Sequence, residues 1–149
     1  MNKVILFLHG YGANGNDLIG LKDHIENKDN SILFESPNAP DSCPLNYFGY
    51  QWFNLAERTP EEIYSGLKKS YKYLDEILSD LIVRHNTSYE KIVLIGFSQG
   101  AMLASYFGLI SKVTMGGIIS LSGALPRNIL DDISLLNESQ KFSIFHGRS

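Results

Sequence analysis

The chain has 149 residues, which is enough for one domain with a hydrophobic core. Apolar residues make up 44% and charged residues 19%, and thirteen basic against sixteen acidic side chains give a net charge of −3. This balance argues against nucleic acid and anionic membranes as partners, because both attract basic surfaces.

The first predicted strand covers residues 3–8 (Lys-Val-Ile-Leu-Phe-Leu) and is apolar on both faces. This run is too short to span a bilayer, and a His-Gly pair follows it instead of a small-residue cleavage site. We therefore expect no membrane insertion and a cytoplasmic location. The single cysteine, Cys43, cannot form an internal disulfide and also indicates a reducing compartment.

Short apolar runs alternate with amphipathic segments along the rest of the chain. Helix 60–85 is the clearest element, because Thr59 can cap it, Pro60 suits its first position, and Glu62 completes a capping box. The segment 36–58 is predicted to be irregular. The remaining predicted helices are 16–25 and 99–110, and the remaining strands are 31–35, 91–95, 115–121 and 141–145.

Strands that are apolar on both faces and separated by helices predict a single α/β domain over residues 1–149, built on a doubly wound, mostly parallel sheet. Ligands of such sheets bind at the carboxyl ends of the strands. The residues that directly follow each apolar run are therefore the candidates for a functional site.

The pentapeptide Gly96-Phe97-Ser98-Gln99-Gly100 follows a predicted buried strand and opens a predicted helix. This G-x-S-x-G context is typical of a nucleophile elbow, in which glycines allow a tight, strained turn around the serine. The positive end of the helix would lie beneath a developing oxyanion. The pattern predicts Ser98 as a nucleophile, with Gly96 and Gly100 as structural residues; the alternative is a serine that only caps the helix.

The first strand ends in a glycine-rich loop that begins His9-Gly10-Tyr11. Acyl transfer needs backbone N–H groups aimed at the oxyanion, and we expect Tyr11 and Gln99 to supply them. His9 and Gly10 are interpreted as structural residues of this loop, with a general-base role for His9 as the alternative.

The same loop spells G-x-G-x-x-G through Gly10, Gly12 and Gly15, with the acid Glu35 at the end of the next strand. A dinucleotide-binding fingerprint has this arrangement. Against it, a histidine precedes the first glycine, Asp17 would oppose a pyrophosphate at the helix start, and the Ser98 elbow stays unexplained. Dinucleotide binding by this loop is the alternative to its role in an ester hydrolase.

Five segments together resemble the phospholipase/carboxylesterase family, which includes the acyl-protein thioesterases. They are Leu8-His9-Gly10, Ser36-Pro37-Asn38-Ala39-Pro40, Gln51-Trp52-Phe53-Asn54, the elbow, and Leu121-Ser122-Gly123-Ala124-Leu125-Pro126. The resemblance implies an α/β-hydrolase fold, hydrolysis of small-molecule esters or acyl thioesters through an acyl-enzyme, and no cofactor. It also implies Ser98 as nucleophile and the residues after His9-Gly10 and after Ser98 as oxyanion donors. The family usually has Trp-Phe-Asp where this chain has Asn54 as the third residue.

The resemblance also implies that parts of the site are absent. In α/β-hydrolases the acid and the histidine of the triad follow the serine in the chain, and His146-Gly147 matches the family's second His-Gly pair, after which the aspartate comes. We therefore expect the triad Asp and His, with the final strand and helix, to lie beyond Ser149. An improvised triad of His146 with Asp131 or Asp132 is the alternative within the chain.

Three hypotheses remain open for the chain as given. It could be a truncated, nearly inactive carboxylesterase, one piece of a hydrolase completed by a C-terminal fragment or by a homo-oligomer, or a non-catalytic module that binds acyl groups or a protein.

The aromatic loop gives two further alternatives. Its rings could line an acyl-chain groove or only pack the loop onto the sheet; they belong to Tyr47, Phe48, Tyr50, Trp52 and Phe53. As candidate substrate-binding residues we name Tyr50, Trp52 and Phe53. No spacing of histidine and cysteine suggests a metal.

Overall fold

A five-stranded sheet forms the centre of the computed structural model, which describes residues 1–28 and 30–148, with side chains described for all of these except residues 132–135. Its strands pair in parallel in the order β2-β1-β5-β6-β7. A separate antiparallel pair is formed by β3 and β4. The strands are β1 (Lys3–Leu8), β2 (Ile32–Glu35), β3 (Asp41–Cys43), β4 (Asn46–Gln51), β5 (Ile92–Phe97), β6 (Gly117–Leu121) and β7 (Phe142–Phe145).

Helices cover both faces of this sheet. They are α1 (Asn16–Ile19), α2 (Pro60–His85) and α3 (Gln99–Ile110), with short 3₁₀ helices at Gly20–His24, Tyr89–Lys91 and Arg127–Leu135. Alternation along β1 turns Val4, Leu6 and Leu8 toward the core that α2 and α3 share, while Ile5 and Phe7 face the smaller core beside α1. The predicted doubly wound, mostly parallel α/β architecture is confirmed.

The long helix α2 has the predicted bounds because a capping residue defines each of its ends. The Thr59 hydroxyl accepts a hydrogen bond from the Glu62 N–H at 3.2 Å, and Asn86 ends the helix in the left-handed conformation. The predicted capping box is wrong in its second half. The Glu62 carboxylate accepts from the N–H groups of Glu57 and Arg58, and so it holds the preceding loop instead of closing the box on Thr59.

Helix α3 also has its predicted bounds, and nearly every residue of it is buried between the sheet and α2. The prediction of one continuous helix over residues 16–25 is wrong. The α-helix ends at Ile19, and Gly20–His24 follows as a 3₁₀ helix, since glycine inside a short helix carries a large cost in backbone entropy.

The prediction of an irregular segment over residues 36–58 is wrong for its centre, where β3 and β4 form a hairpin. Its short strands are mostly polar and carry no clear alternation, so the sequence gives little signal for them. Tertiary contacts stabilise the hairpin instead. Tyr50 N–H donates to the Ala13 carbonyl at 2.8 Å, and the Gly12 N–H donates to the Tyr50 carbonyl at 2.9 Å. The hairpin is therefore hydrogen-bonded to the loop that follows β1.

No helix among the described residues is both long enough and apolar enough to cross a membrane.

Candidate active site

The turn between β5 and α3 holds Ser98 in an uncommon backbone conformation, with φ 52° and ψ −112°. A Cβ atom at Gly96 would lie 2.3 Å from the Gly100 carbonyl oxygen, and one at Gly100 would lie 2.0 Å from the Leu8 carbonyl oxygen. Both distances are far below van der Waals contact, so only glycine fits on either side. The two glycines thus permit a strained conformation of the kind that occurs at functional sites.

Backbone hydrogen bonds hold this strained serine in place and leave its side chain free. The Ser98 N–H donates to the Leu121 carbonyl at 2.9 Å, and the Ser98 carbonyl accepts from the Met102 N–H at 3.0 Å. The hydroxyl forms no capping hydrogen bond to α3. A serine that served only as a helix cap would use its hydroxyl for that purpose.

Ser98 is half-buried and opens into a cavity of about 470 Å³. Apolar side chains form much of its wall, and the polar side chains that line it besides Ser98 are those of Tyr11, Ser122 and Arg58. Its lining residues are Tyr11, Leu55, Arg58, Ile63, Ser98, Met102, Ser122 and Ala124. An apolar cleft with few polar groups around a free hydroxyl suits an ester substrate.

The loop after β1 lies directly against the elbow. A Cβ at Gly10 would be 3.6 Å from the Ser98 Cβ and 3.3 Å from the Phe97 ring. Within the described residues, the Tyr11 N–H has no backbone acceptor, whereas its neighbour Gly12 donates to Tyr50. The Gln99 N–H belongs to the first turn of α3, where N–H groups have no partner inside the helix. Tyr11 lines the cavity that contains Ser98, and Gln99 directly follows Ser98 at the start of α3.

His9 is fully buried, and both of its ring nitrogens are hydrogen-bonded. Nδ1–H donates to the Gly10 carbonyl at 2.8 Å, and Nε2 accepts from the Ala39 N–H at 2.9 Å. Burial lowers the pKa of the imidazole, although the Gly10 carbonyl and the charge of Asp17 raise it. These contacts support a structural role for His9, since no nitrogen is left to accept a proton from Ser98.

The side chain of Gln99 has a role that sequence reasoning missed. It is fully buried, its Oε1 accepts from the Trp52 N–H at 2.8 Å, and its Nε2 donates to the Phe53 carbonyl at 2.7 Å. The signal was available: Gln99 carries the only side-chain amide of helix α3, whose other residues are mostly apolar. It joins the start of α3 to the segment that leads into the cavity wall.

Tyr50, Trp52 and Phe53 do not line the Ser98 cavity. Trp52 and Phe53 are only 1% and 2% exposed and pack in the core, and the Trp52 Nε1–H donates to the His9 carbonyl at 2.8 Å. Tyr50, in β4, is half-buried and pairs with Ala13 of the loop after β1. The expectation of an acyl groove lined by these three residues is therefore not supported. The apolar wall comes instead from Leu55, Ile63 and Met102.

The dinucleotide-binding alternative is not supported either. The N–H groups of Gly12 and Gly15 are used by the Tyr50 carbonyl and the Asn38 side chain, at 2.9 and 2.8 Å. The following α-helix has only four residues. Glu35, the acid expected to bind a ribose, is paired with Arg84 and His85.

An improvised triad also lacks support. His146 and Asp131 are exposed and do not line the Ser98 cavity. The side chain of Asp132 lies outside the described residues. None of the chain's four histidines contributes to the lining of this cavity. Among the side chains that the structure describes, no group of three histidine, cysteine or acidic residues could hold a metal ion.

Comparison with known proteins gives a consistent result. Residues 1–147 match the family described as Phospholipase/Carboxylesterase. The Acyl-protein thioesterase 1 of Kluyveromyces lactis is 32% identical, with 97% of this chain covering 67% of that protein. The Acyl-protein thioesterase 1 homolog 1 of Dictyostelium discoideum is 29% identical, over 98% of this chain and 68% of that protein.

Two solved structures have a similar fold. Esterase PE8 superposes with a TM-score of 0.87 at 32% identity, covering 98% of this chain and 68% of that one. SOBER1 of Arabidopsis thaliana superposes with a TM-score of 0.72 at 22% identity, over 99% of this chain and 74% of that one, which is a likeness of fold alone. The chain thus spans about two thirds of the length of several of the proteins that it resembles.

Proposed function

The chain belongs to the phospholipase/carboxylesterase family of serine ester hydrolases, and from this premise we propose that Ser98 is its nucleophile toward carboxylic esters or thioesters. The observation that carries the proposal is the strained, uncapped Ser98 at the strand-to-helix turn, open to an apolar cavity. Such a turn presents a hydroxyl to a ligand at the carboxyl edge of the sheet.

In the proposed reaction, the Ser98 Oγ attacks the carbonyl carbon and its proton passes to a general base. The carbonyl oxygen becomes negatively charged and accepts hydrogen bonds from the N–H groups of Tyr11 and Gln99. The positive end of α3 stabilises the same charge. The alcohol or thiol then leaves with the proton, and water releases the acid from the acyl-enzyme.

The described side chains do not supply the general base of this reaction. His9 uses both ring nitrogens, and the other three histidines do not line the cavity. We propose that a complementing segment or a second chain brings the histidine and its acid to Ser98. On this proposal the isolated chain reacts slowly, because removal of the base from such a triad lowers the rate by several orders of magnitude.

A fluorophosphonate probe tests the proposal with the 149-residue chain alone. We expect slow labelling that is accelerated by added imidazole, since a free base in the cavity replaces the missing histidine. Ser98→Ala should abolish labelling at every imidazole concentration. Ser122→Ala is the matched control, because it removes the other serine hydroxyl of the cavity, and it should keep the label.

Peptide mapping decides the outcome. A label on Ser122, or labelling that survives Ser98→Ala, would refute the assignment of the nucleophile. A folded chain that never labels, with or without imidazole, but still binds esters would favour the non-catalytic acyl-binding module.

A further inference from the structure

Arg58 is the only charged residue among the described residues that line the Ser98 cavity. The other lining residues are neutral, and Leu55, Ile63 and Met102 give the wall its apolar character. We propose that Arg58 binds a carboxylate or phosphate group of the substrate and so selects esters that carry a negative charge beside an apolar chain. This inference rests on the proposed function, because it takes the bound molecule to be a substrate.

The guanidinium of Arg58 is available for a ligand. Within the described part of the chain, the ion pairs are made by Lys28, Lys69, Arg84 and His85, and none involves Arg58. Arginine presents a planar set of donors that matches a carboxylate or phosphate with two parallel hydrogen bonds.

Glu57, Glu61 and Glu62 are close to Arg58 in the chain, and none of them forms an ion pair with it. Glu62 is already used by other donors. Its Oε2 accepts from the N–H groups of Arg58 and Glu57 at 2.7 and 3.0 Å, and its Oε1 accepts from Asn54 Nδ2 at 2.6 Å. Three donors on one carboxylate satisfy it without the guanidinium. The negative charge of Glu62 thus holds the backbone of Arg58 and leaves its side chain to the cavity.

The backbone of Arg58 is held in a conformation that most residues avoid. Its φ is 56°, in the left-handed region that disfavours a bulky side chain. The hydrogen bond to Glu62, on the first turn of α2, keeps it there. Strain of this kind persists where the surrounding structure enforces it, and it is concentrated at ligand sites.

Arg58 is exposed, so its guanidinium is accessible to a ligand and water screens part of the attraction. The apolar walls of the cavity strengthen the attraction where a bound substrate displaces water. They also match the hydrocarbon part of an ester. A substrate with a cationic group near the ester would be repelled by Arg58.

Binding of paired esters to the Ser98→Ala chain tests this inference without any catalysis. Monoethyl adipate carries a carboxylate on the acyl side, and ethyl 5-carbamoylpentanoate is its neutral amide. A second pair, 4-acetoxybutanoate and 4-acetoxybutanamide, carries the charge on the alcohol side. We expect the anion of at least one pair to bind about threefold to tenfold more tightly than its amide in an NMR titration.

The Arg58→Gln variant should abolish that preference, and Arg58→Lys should retain part of it. Arg58→Asn removes the same charge and also tolerates the left-handed backbone, so a loss of preference in both variants excludes a folding artefact. Lys28→Gln is the matched control, because it removes one exposed positive charge from the loop that leads to the amino end of β2, whereas Ser98 lies at the carboxyl ends of the parallel strands.

Equal affinities for anion and amide with Arg58 present would overturn the inference. An equal loss of both affinities in Arg58→Gln, or no binding of either ester, would do the same. Failure of the proposed function is a separate result: it appears as absent labelling of Ser98, whatever the charge preference measured with the Ser98→Ala chain.

Discussion

The side-chain oxygen of Gln99 accepts a hydrogen bond from the Trp52 N–H at 2.8 Å in the interior of the protein. The same side chain donates to the Phe53 carbonyl at 2.7 Å. Gln99 thus joins two parts of the proposed site, the helix start behind Ser98 and the segment that continues to Leu55 and Arg58 in the cavity wall. The coupling is specific because the two bonds require one acceptor and one donor in fixed positions.

Replacement of Gln99 by methionine should destabilise the protein by about 2–4 kcal/mol, because it leaves a buried N–H and a buried carbonyl without partners. Gln99→Glu keeps the shape but replaces the donor by a charge. Burial raises the pKa of a carboxyl group, so the native state of this variant binds a proton that the unfolded state releases, and its free energy of unfolding falls as pH rises from about 5 to 7.

Urea denaturation at several pH values measures both effects. The protonated carboxyl group of the Gln99→Glu variant would again offer a donor to the Phe53 carbonyl, so this variant should regain stability at low pH and the methionine variant should not. Equal stability of Gln99→Met and the natural chain would contradict the proposed coupling.

The elbow makes an equally direct prediction about glycine. Gly100→Ala places a Cβ 2.0 Å from the Leu8 carbonyl oxygen, and this clash is with backbone that cannot move without displacing β1. We expect a loss of more than about 3 kcal/mol or no folded protein. Gly20→Ala is the matched control, since nothing lies within 4 Å of its Cβ and its backbone is right-handed helical. It should be neutral or stabilising by up to about 1 kcal/mol in the same thermal denaturation measurement.

The elbow and the two long helices were predictable because their signals are local. Thr59, Pro60 and the period of leucines define α2, and two glycines around Ser98 define the turn. The hairpin of β3 and β4 was not predictable, because contacts with a loop more than thirty residues away stabilise it. The cavity wall was missed for the same reason. Sequence reasoning left open whether the aromatic rings line a groove or pack the loop onto the sheet, and the burial of Trp52, whose backbone N–H binds Gln99, depends on long-range contacts.

His9 predicts a pH dependence of stability. Burial holds its folded pKa below the ordinary value of about 6.5, so the unfolded chain binds more protons than the native chain as the pH falls past that value. The free energy of unfolding should therefore decrease from pH 7 to pH 5, by at most about 1.4 kcal/mol per pH unit from this residue. His9→Gln should be less stable at pH 7 and should lack this part of the slope. An identical slope in both proteins would show that another group is responsible.

Variants of Asn54 and Glu62 test what the asparagine contributes at the position where the family pattern is Trp-Phe-Asp. The Asn54 amide donates to a carboxylate that also holds the backbone of Arg58, so Asn54→Asp would bring two negative charges together at this position. Because the pair is exposed, water screens much of the repulsion, and we expect a loss of about 1 kcal/mol in the free energy of unfolding. High salt should reduce that loss, since it screens exposed charges further.

A double-mutant cycle separates this repulsion from a general loss of packing. Glu62→Gln alone removes the charge that the two backbone N–H groups share, and it should weaken the loop from Glu57 to Arg58. In the double variant, the amide introduced at position 62 can donate to the carboxylate introduced at position 54, which reverses the direction of the original bond. The two losses should therefore not add, and the coupling should favour the double variant by about 1 kcal/mol. Additive losses would mean that Asn54 contributes nothing through Glu62, and that the asparagine is not explained by its partner.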